Sequence, residues 1–156
     1  MSPGLSYTVW VSEAALNAIL KEADKDPDRE TGGVLMGHWA EHSAVIAAVI
    51  GPGPGAVSKK RRFRPDNQWQ RQEIARLYRK SGRTVTYLGD WHSHPGRLPL
   101  PSRLDVRTAH RIATFEESRA PNPLIIIAGE SLEHGRLLAV YRYDGRRLRT
   151  CKLIVY

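Results

Sequence analysis

The seven residues PGRLPLP at 95–101 exclude both regular backbone ladders. Pro95, Pro99 and Pro101 fix φ and remove donors, so neither a helix interior nor a central strand can pass through them. Before them, TVTYLGDWHSH (84–94) is rich in β-branched and aromatic residues and reads as a strand. After them, Ser102 and Asp105 stand three apart, close to a capping box, and predict a helix from Ser102 to about Ser118. A strand must therefore turn rigidly into a helix start.

The remaining segments alternate in the same way. LSYTVWVS (5–12) predicts a strand, and Ser12 caps a helix over about 13–24 with Leu16, Ile19, Leu20 and Ala23 on one face. TGGVLMGHW (31–39) and HSAVIAAVIG (42–51) predict a hairpin turning near Ala40 and Glu41. Gly32 and Gly33 mark a close backbone approach. GPGPGAVSKKRRFRPD (51–66) predicts a long mobile loop, because alternating Gly and Pro break ladders and KKRR repels itself. DNQWQRQEIARLYRKSG (66–82) predicts an amphipathic helix burying Trp69, Ile74, Leu77 and Tyr78, stopped by Gly82. PLIIIAGE (123–130), RLLAVYRYDG (136–145) and RRLRTCKLIVY (146–156) predict strands, the last two joined at Asp144–Gly145. Helices interspersed among strands give an α/β, mixed α+β, layered fold, expected as one domain over 1–156.

Composition narrows the function classes. At 156 residues, 41% hydrophobic and 26% charged, the chain can bury a proper core. MSPGLSYTVW has no basic region leading into an apolar run, so no signal peptide is expected. No apolar stretch approaches the roughly 20 residues that cross a bilayer. The single Cys151 cannot form an internal disulfide, which fits a reducing cytoplasm. Lys and Arg outnumber Asp and Glu by 24 to 16, a net +8 that permits an acidic protein surface or nucleic acid as partner. No dedicated nucleic-acid recognition element accompanies that charge.

The stretch GDWHSHPGRLPLPSRLD concentrates the chemistry. In a strand, residues i and i+2 share a face, so His92 and His94 point together and Ser93 points away. Two such imidazoles suit two of the three protein ligands of an open tetrahedral zinc site. Asp105, one helical turn after the N-cap position of Ser102, can supply the third. Singly, S-x-x-D is a cap and His-x-His an ordinary strand edge; the combined spacing H-x-H-x7-S-x-x-D points to a metal. Hydrolysis at such a site also needs a base close to the metal without ligating it. Glu30 is the first candidate, with Asp90, Glu73 and Glu130 as alternatives.

Glu30 leading ETGGVLMG, then HSHP some sixty residues later, seven residues to Ser102 and S-x-x-D, resembles the JAMM (MPN-plus) metalloproteases. The likeness runs from the first helix to the strand at 123–130. YLGDWHSHPGRLPLPSRLD is especially similar to prokaryotic members encoded beside ubiquitin-activating-like and conjugating-like enzymes in antiphage operons. The resemblance implies a cytidine-deaminase-like fold, a mixed sheet flanked by helices. It implies one Zn2+ per chain on His92, His94 and Asp105, Glu30 as general base and then acid, and Ser102 as hydrogen-bond donor to the developing oxyanion. The implied reaction is hydrolysis of the isopeptide or peptide bond after the C-terminal glycine of a ubiquitin-like protein, without a covalent intermediate, leaving Cys151 a bystander. Segment 51–66 falls where relatives carry an insertion that grips the ubiquitin-like tail, and Phe63, Arg64 and Trp91 are the expected substrate contacts. Expected partners are the ubiquitin-like protein or its conjugates and the activating-like and conjugating-like enzymes, with no membrane and no nucleic acid. The alternatives are a peptidase processing a sulfur-carrier-type ubiquitin-like protein, or a non-catalytic module of the same fold binding protein or nucleic acid. Direct passage from Asp105 into a helix leaves no second large insertion to select among polyubiquitin linkages.

Overall fold

The computed structural model describes residues 6–156, so Leu5 of the first predicted strand lies outside the described residues. In chain order the elements are β1 (Thr8–Val11), α1 (Glu13–Lys25), β2 (Gly32–Trp39), β3 (Ser43–Ile50), β4 (Val57–Lys59), β5 (Arg62–Arg64), α2 (Asn67–Lys80) and β6 (Thr86–Ser93). Then come α3 (Arg103–Thr114), a 3-10 turn at Glu116–Ser118, β7 (Leu124–Ser131), β8 (Gly135–Tyr143), β9 (Leu148–Thr150) and β10 (Lys152–Val155). The helix predicted to run to about Ser118 thus ends at Thr114, where the chain tightens into the 3-10 turn.

Eight strands form one mixed sheet in the order β10-β1-β3-β2-β6-β7-β8-β9. Its two ends are a single stretch of chain interrupted at Cys151. The first half pairs antiparallel with β8 and the second parallel with β1. The Cys151 N–H still bonds to Val140 O, and the next N–H, of Lys152, bonds to Tyr7 O. The final strand therefore crosses from one end of the sheet to the other and curls it round.

The curl gives the sheet an inner and an outer face. Strand alternation sends Val9, Val11, Ala44, Ile46, Leu35, Trp91, Ile126 and Ala128 inward, where they pack with Ala15 and Ile19 of α1. Outside, α2 lays Trp69, Ile74 and Leu77 on Val34, Met36 and Ile50. The α3 helix lays Val106, Ala109 and Ile112 on Ile125, Ile127, Tyr141 and Tyr143. The outer face of β6 is left between these two helices.

A bulge sets which residues of β6 reach that space. Leu35 pairs with Gly89 but Met36 pairs with Tyr87, so Leu88 is an extra residue. Gly89 adopts φ +149°, and a Cβ there would strike the Leu124 backbone, so glycine is required. The bulge rephases the strand, bringing Asp90 and His92 onto the outer face and Trp91 onto the inner.

Part of the stretch 51–66, expected as a long mobile loop, forms regular structure. Gly53 at φ +91° and the Asp66 carboxylate, which accepts the Gly55 N–H, close the GPGPG turn. Beyond it, β4 and β5 pair antiparallel, Val57 with Arg64 and Lys59 with Arg62. Gly and Pro exclude a ladder through 51–55 but say nothing against one at 57–64, where valine and phenylalanine alternate with polar residues.

Candidate metal centre

His92 stands one residue before the end of β6 on the outer face, and His94 follows where the chain leaves the strand, its N–H bonded to Ala128 O at 2.8 Å. From across the space, α3 begins at Ser102. The Ser102 side chain accepts the Asp105 N–H at 3.2 Å, and Asp105 Oδ2 accepts the Ser102 N–H at 2.6 Å, a complete capping box. The box leaves Asp105 Oδ1 free, 2.9 Å from His92 Nε2. His94 Nε2 stands 3.1 Å from His92 Nε2 and 3.6 Å from Asp105 Oδ2.

These atoms fit a metal ion. A tetrahedral ion with bonds of about 2.0–2.1 Å has ligand–ligand edges of about 3.3–3.4 Å. The His92 Nε2–Asp105 Oδ1 and His92 Nε2–His94 Nε2 distances, 2.9 and 3.1 Å, come close to that value, and the donor atoms of the three residues all lie within 4.8 Å of one another. His94 Nδ1 lies 3.4 Å from Leu98 O, a contact that requires the proton on Nδ1 and leaves a lone pair on Nε2. Two imidazole nitrogens and a carboxylate so close together make a donor set for a cation. Burial would raise the Asp105 carboxyl, but the facing His92 and His94 rings and the Ser102 N–H hold it far below the usual carboxylate range. It is therefore ionised at any working pH.

Glu30 reaches the same face by strand register. Gly32 pairs with His92, and Ser93 N–H bonds to Thr31 O at 2.9 Å, which carries Glu30 across from His94. Ser93, between the two histidines and nearly fully buried, also accepts the Thr31 N–H on its hydroxyl at 3.0 Å. Glu30 stands outside the group of three convergent donors. Its carboxylate is 16% exposed and accepts a 2.9 Å bond from Arg97 Nη2. The alternative bases are engaged elsewhere. Glu73 pairs with Arg76 on the exposed surface of α2. Glu130 pairs with Arg136, which also holds Asp24 of α1, so it faces the opposite side of the sheet. Asp90 accepts the Tyr87 hydroxyl at 2.8 Å; burial pushes its carboxyl up to about 6, against that bond and the nearby His92 and Arg111.

The expected substrate contacts separate. Trp91 is corrected: at 1% exposure it is inner-face core, with its indole N–H bonded to Ile50 O, because it alternates with His92. Phe63 lies beside the centre. A Cβ on Gly32 would meet Phe63 Cε1 at 2.9 Å and His92 Cβ at 3.2 Å, so the absent side chain makes room for that ring. Arg64 is exposed and projects from the other side of the hairpin. The hairpin is tied to the centre by Glu30 N–H to Lys59 O at 2.9 Å.

Sequence reasoning passed over the framework that holds these residues. Loop 95–101 is pinned by Glu130 N–H to Arg97 O at 2.7 Å and by the Tyr141 hydroxyl to Pro99 O at 2.5 Å. It crosses directly over Gly129, where a Cβ would meet Pro99 N at 2.4 Å. No sequence signal names Tyr141 or Gly129, whose partners are fixed by tertiary register. Cys151 is buried and burial pushes its thiol up to about 11, against Arg142, so it offers no nucleophile.

A pair of imidazoles and a carboxylate, on a strand end and a capped helix start of a curled mixed sheet, make a donor set of the kind that holds a metal ion. The family model for prokaryotic homologues of the JAB domain matches residues 12–149, and the chain belongs to that family. A probable metalloprotease of Sinorhizobium fredii is 42% identical over 121 residues, covering 76% of this chain and 74% of that protein. A protein of Enterobacter hormaechei named CD-NTase/cGAS isopeptidase is 30% identical over 131 residues, covering 82% and 71%. In fold, the chain is similar to a Desulfitobacterium hafniense protein solved in solution, with TM-score 0.73, 18% identity and 95% and 92% coverage. Among the described residues no helix is long and apolar enough to cross a membrane.

Proposed function

We propose that the chain is a zinc-dependent isopeptidase that cleaves the bond following the C-terminal glycine of a ubiquitin-like protein, deconjugating it from a target or trimming a precursor. The observation carrying this reading is the convergence of His92, His94 and Asp105 on one face that Glu30 and Ser102 also reach. The relatives named CD-NTase/cGAS isopeptidase support a conjugate of such a nucleotidyltransferase as target, in an antiphage setting with activating-like and conjugating-like enzymes as partners.

His92 Nε2, His94 Nε2 and Asp105 Oδ1 would hold the ion. Zinc bound there supplies Lewis acidity, lowering the pKa of water and polarising a carbonyl. Glu30 takes the proton from the attacking water and delivers it to the departing amine. The Ser102 hydroxyl oxygen is engaged as an acceptor of the Asp105 N–H, so its own hydrogen is free to donate to the substrate carbonyl oxygen as charge develops. The outer edge of the β4–β5 hairpin is open to an extended tail, which would add as a third strand with Phe63 beneath it.

The test is cleavage of a ubiquitin-like protein fused through its C-terminal glycine to a reporter. Zinc-loaded protein should release the reporter, and chelation should stop it. Glu30→Gln should retain one zinc per chain by mass spectrometry and lose about 100-fold or more in turnover. Zinc-free protein after zinc-supplemented expression, or full activity in Glu30→Gln, refutes the reading.

A further inference from the structure

Resting on the reading of Glu30 as the base, we infer that Arg97 is a positioning residue that holds the Glu30 carboxylate in working orientation. The two residues are 67 apart in sequence, yet Arg97 Nη2 donates to Glu30 Oε1 at 2.9 Å. One oxygen of the carboxylate is thereby occupied and Oε2 is left to take a proton.

The backbone of Arg97 suits this task. Its carbonyl accepts the Glu130 N–H at 2.7 Å, and its own N–H bonds to His94 O at 3.2 Å. A Cβ on Gly129 would come within 2.6 Å of Arg97 O, so the loop lies directly on β7. The next residue, Leu98, presents its carbonyl to His94 Nδ1. Two adjacent loop residues therefore act on both halves of the chemistry, Leu98 orienting an imidazole and Arg97 orienting the base. A free glutamate samples many rotamers, and fixing one near the reacting atoms raises the productive fraction. A guanidinium does so without titrating, and its charge-assisted bond is stronger than a neutral one. Glu30 has no other side-chain partner recorded among the described residues.

Arg97→Ala should lower kcat about tenfold on the reporter fusion, with KM within about twofold and zinc content and melting temperature unchanged. Arg97→Lys, which keeps the charge, should recover part of the loss. Independently of turnover, side-chain 15N NMR of the metal-free protein should show hindered rotation of the Arg97 guanidinium that Glu30→Gln releases. Wild-type kcat in Arg97→Ala, a loss confined to KM, or equal guanidinium mobility in wild type and Glu30→Gln overturns the inference. If wild-type protein itself fails to cleave, the reading of the site falls instead, and the NMR comparison still decides whether the pair forms.

Discussion

Two proline-bearing segments frame the same centre and solve the same problem in opposite ways. Loop 95–101 has no ladder of its own and is satisfied by its neighbours: Glu130 N–H, the Tyr141 hydroxyl and His94 all bond its carbonyls. Segment 52–64 satisfies itself. A turn closed by Asp66 leads into a two-stranded hairpin that touches the centre through Lys59 O and the Phe63 ring. The hairpin and its tip also carry Lys59, Lys60, Arg61, Arg62 and Arg64, all exposed and none in an ion pair among the described residues. Backbone bonded to the sheet fixes atoms, whereas backbone bonded to itself presents a surface. The first segment should govern chemistry and the second should govern capture.

The largest effect tests the first half of that division. Gly129→Ala places a methyl where Pro99 N and Arg97 O stand within 2.4 and 2.6 Å, so the loop must lift. Leu98 O then leaves His94 Nδ1, and the ring loses its fixed tautomer. Loss of such an outer partner weakens metal binding by about 10–100-fold. Zinc affinity by competition with a chromophoric chelator should fall in that range, while circular dichroism stays that of a folded sheet. An unchanged affinity would mean that the loop merely passes over the site.

The convergence of His92, His94 and Asp105 is legible in the sequence because their placement follows from local rules. A two-residue period puts His92 and His94 on one face, and an N-cap followed by N3 puts Ser102 and Asp105 at one helix start. The same period places Trp91 opposite the histidines, so its burial follows from alternation and removes it from the substrate contacts. What was not legible depends on register between distant strands. Leu88 reads as an ordinary strand residue, yet as the bulge it decides which face of β6 receives Asp90 and His92. The position of Glu30 rests on Ser93 bonding Thr31 across 62 residues, and its pairing with Arg97 spans 67. The hairpin was hidden because Gly51–Gly55 dominates the local signal and the three-residue strands beyond are too short to assert a period.

The second half of the division predicts a smaller effect. Replacing Lys59, Lys60, Arg61 and Arg62 by glutamate removes the positive tip without touching the centre. Such surface charges act on association rate and its salt dependence more than on the chemical step. KM for a reporter fusion should rise about tenfold at low salt, with kcat unchanged, and added salt should raise wild-type KM toward the mutant's. A fall in kcat with constant KM would show that the hairpin shapes the catalytic geometry, and the two segments would no longer divide the work.

The smallest effect lies at the neck between hairpin and helix. Asp66 is engaged twice, with Oδ2 accepting the Gly55 N–H at 3.0 Å and Oδ1 capping α2 through the Trp69 N–H at 3.2 Å. Asp66→Ala loses the cap, at a cost of about 1 kcal/mol, and frees the turn at Gly53–Ala56 from its side-chain anchor. Since α2 lies on Val34, Met36 and Ile50 rather than on the histidines, the loss should appear in denaturant melts and leave kcat and zinc content alone. Hydrogen exchange should quicken at the Gly55 amide and in β4 and β5, but not at the amides of Arg97 and Leu100, which are held by His94 and Leu98 in the other loop. Exchange that quickened in both segments together would show them to be one cooperative unit, and the contrast between a loop held by the sheet and a hairpin held by itself would fail.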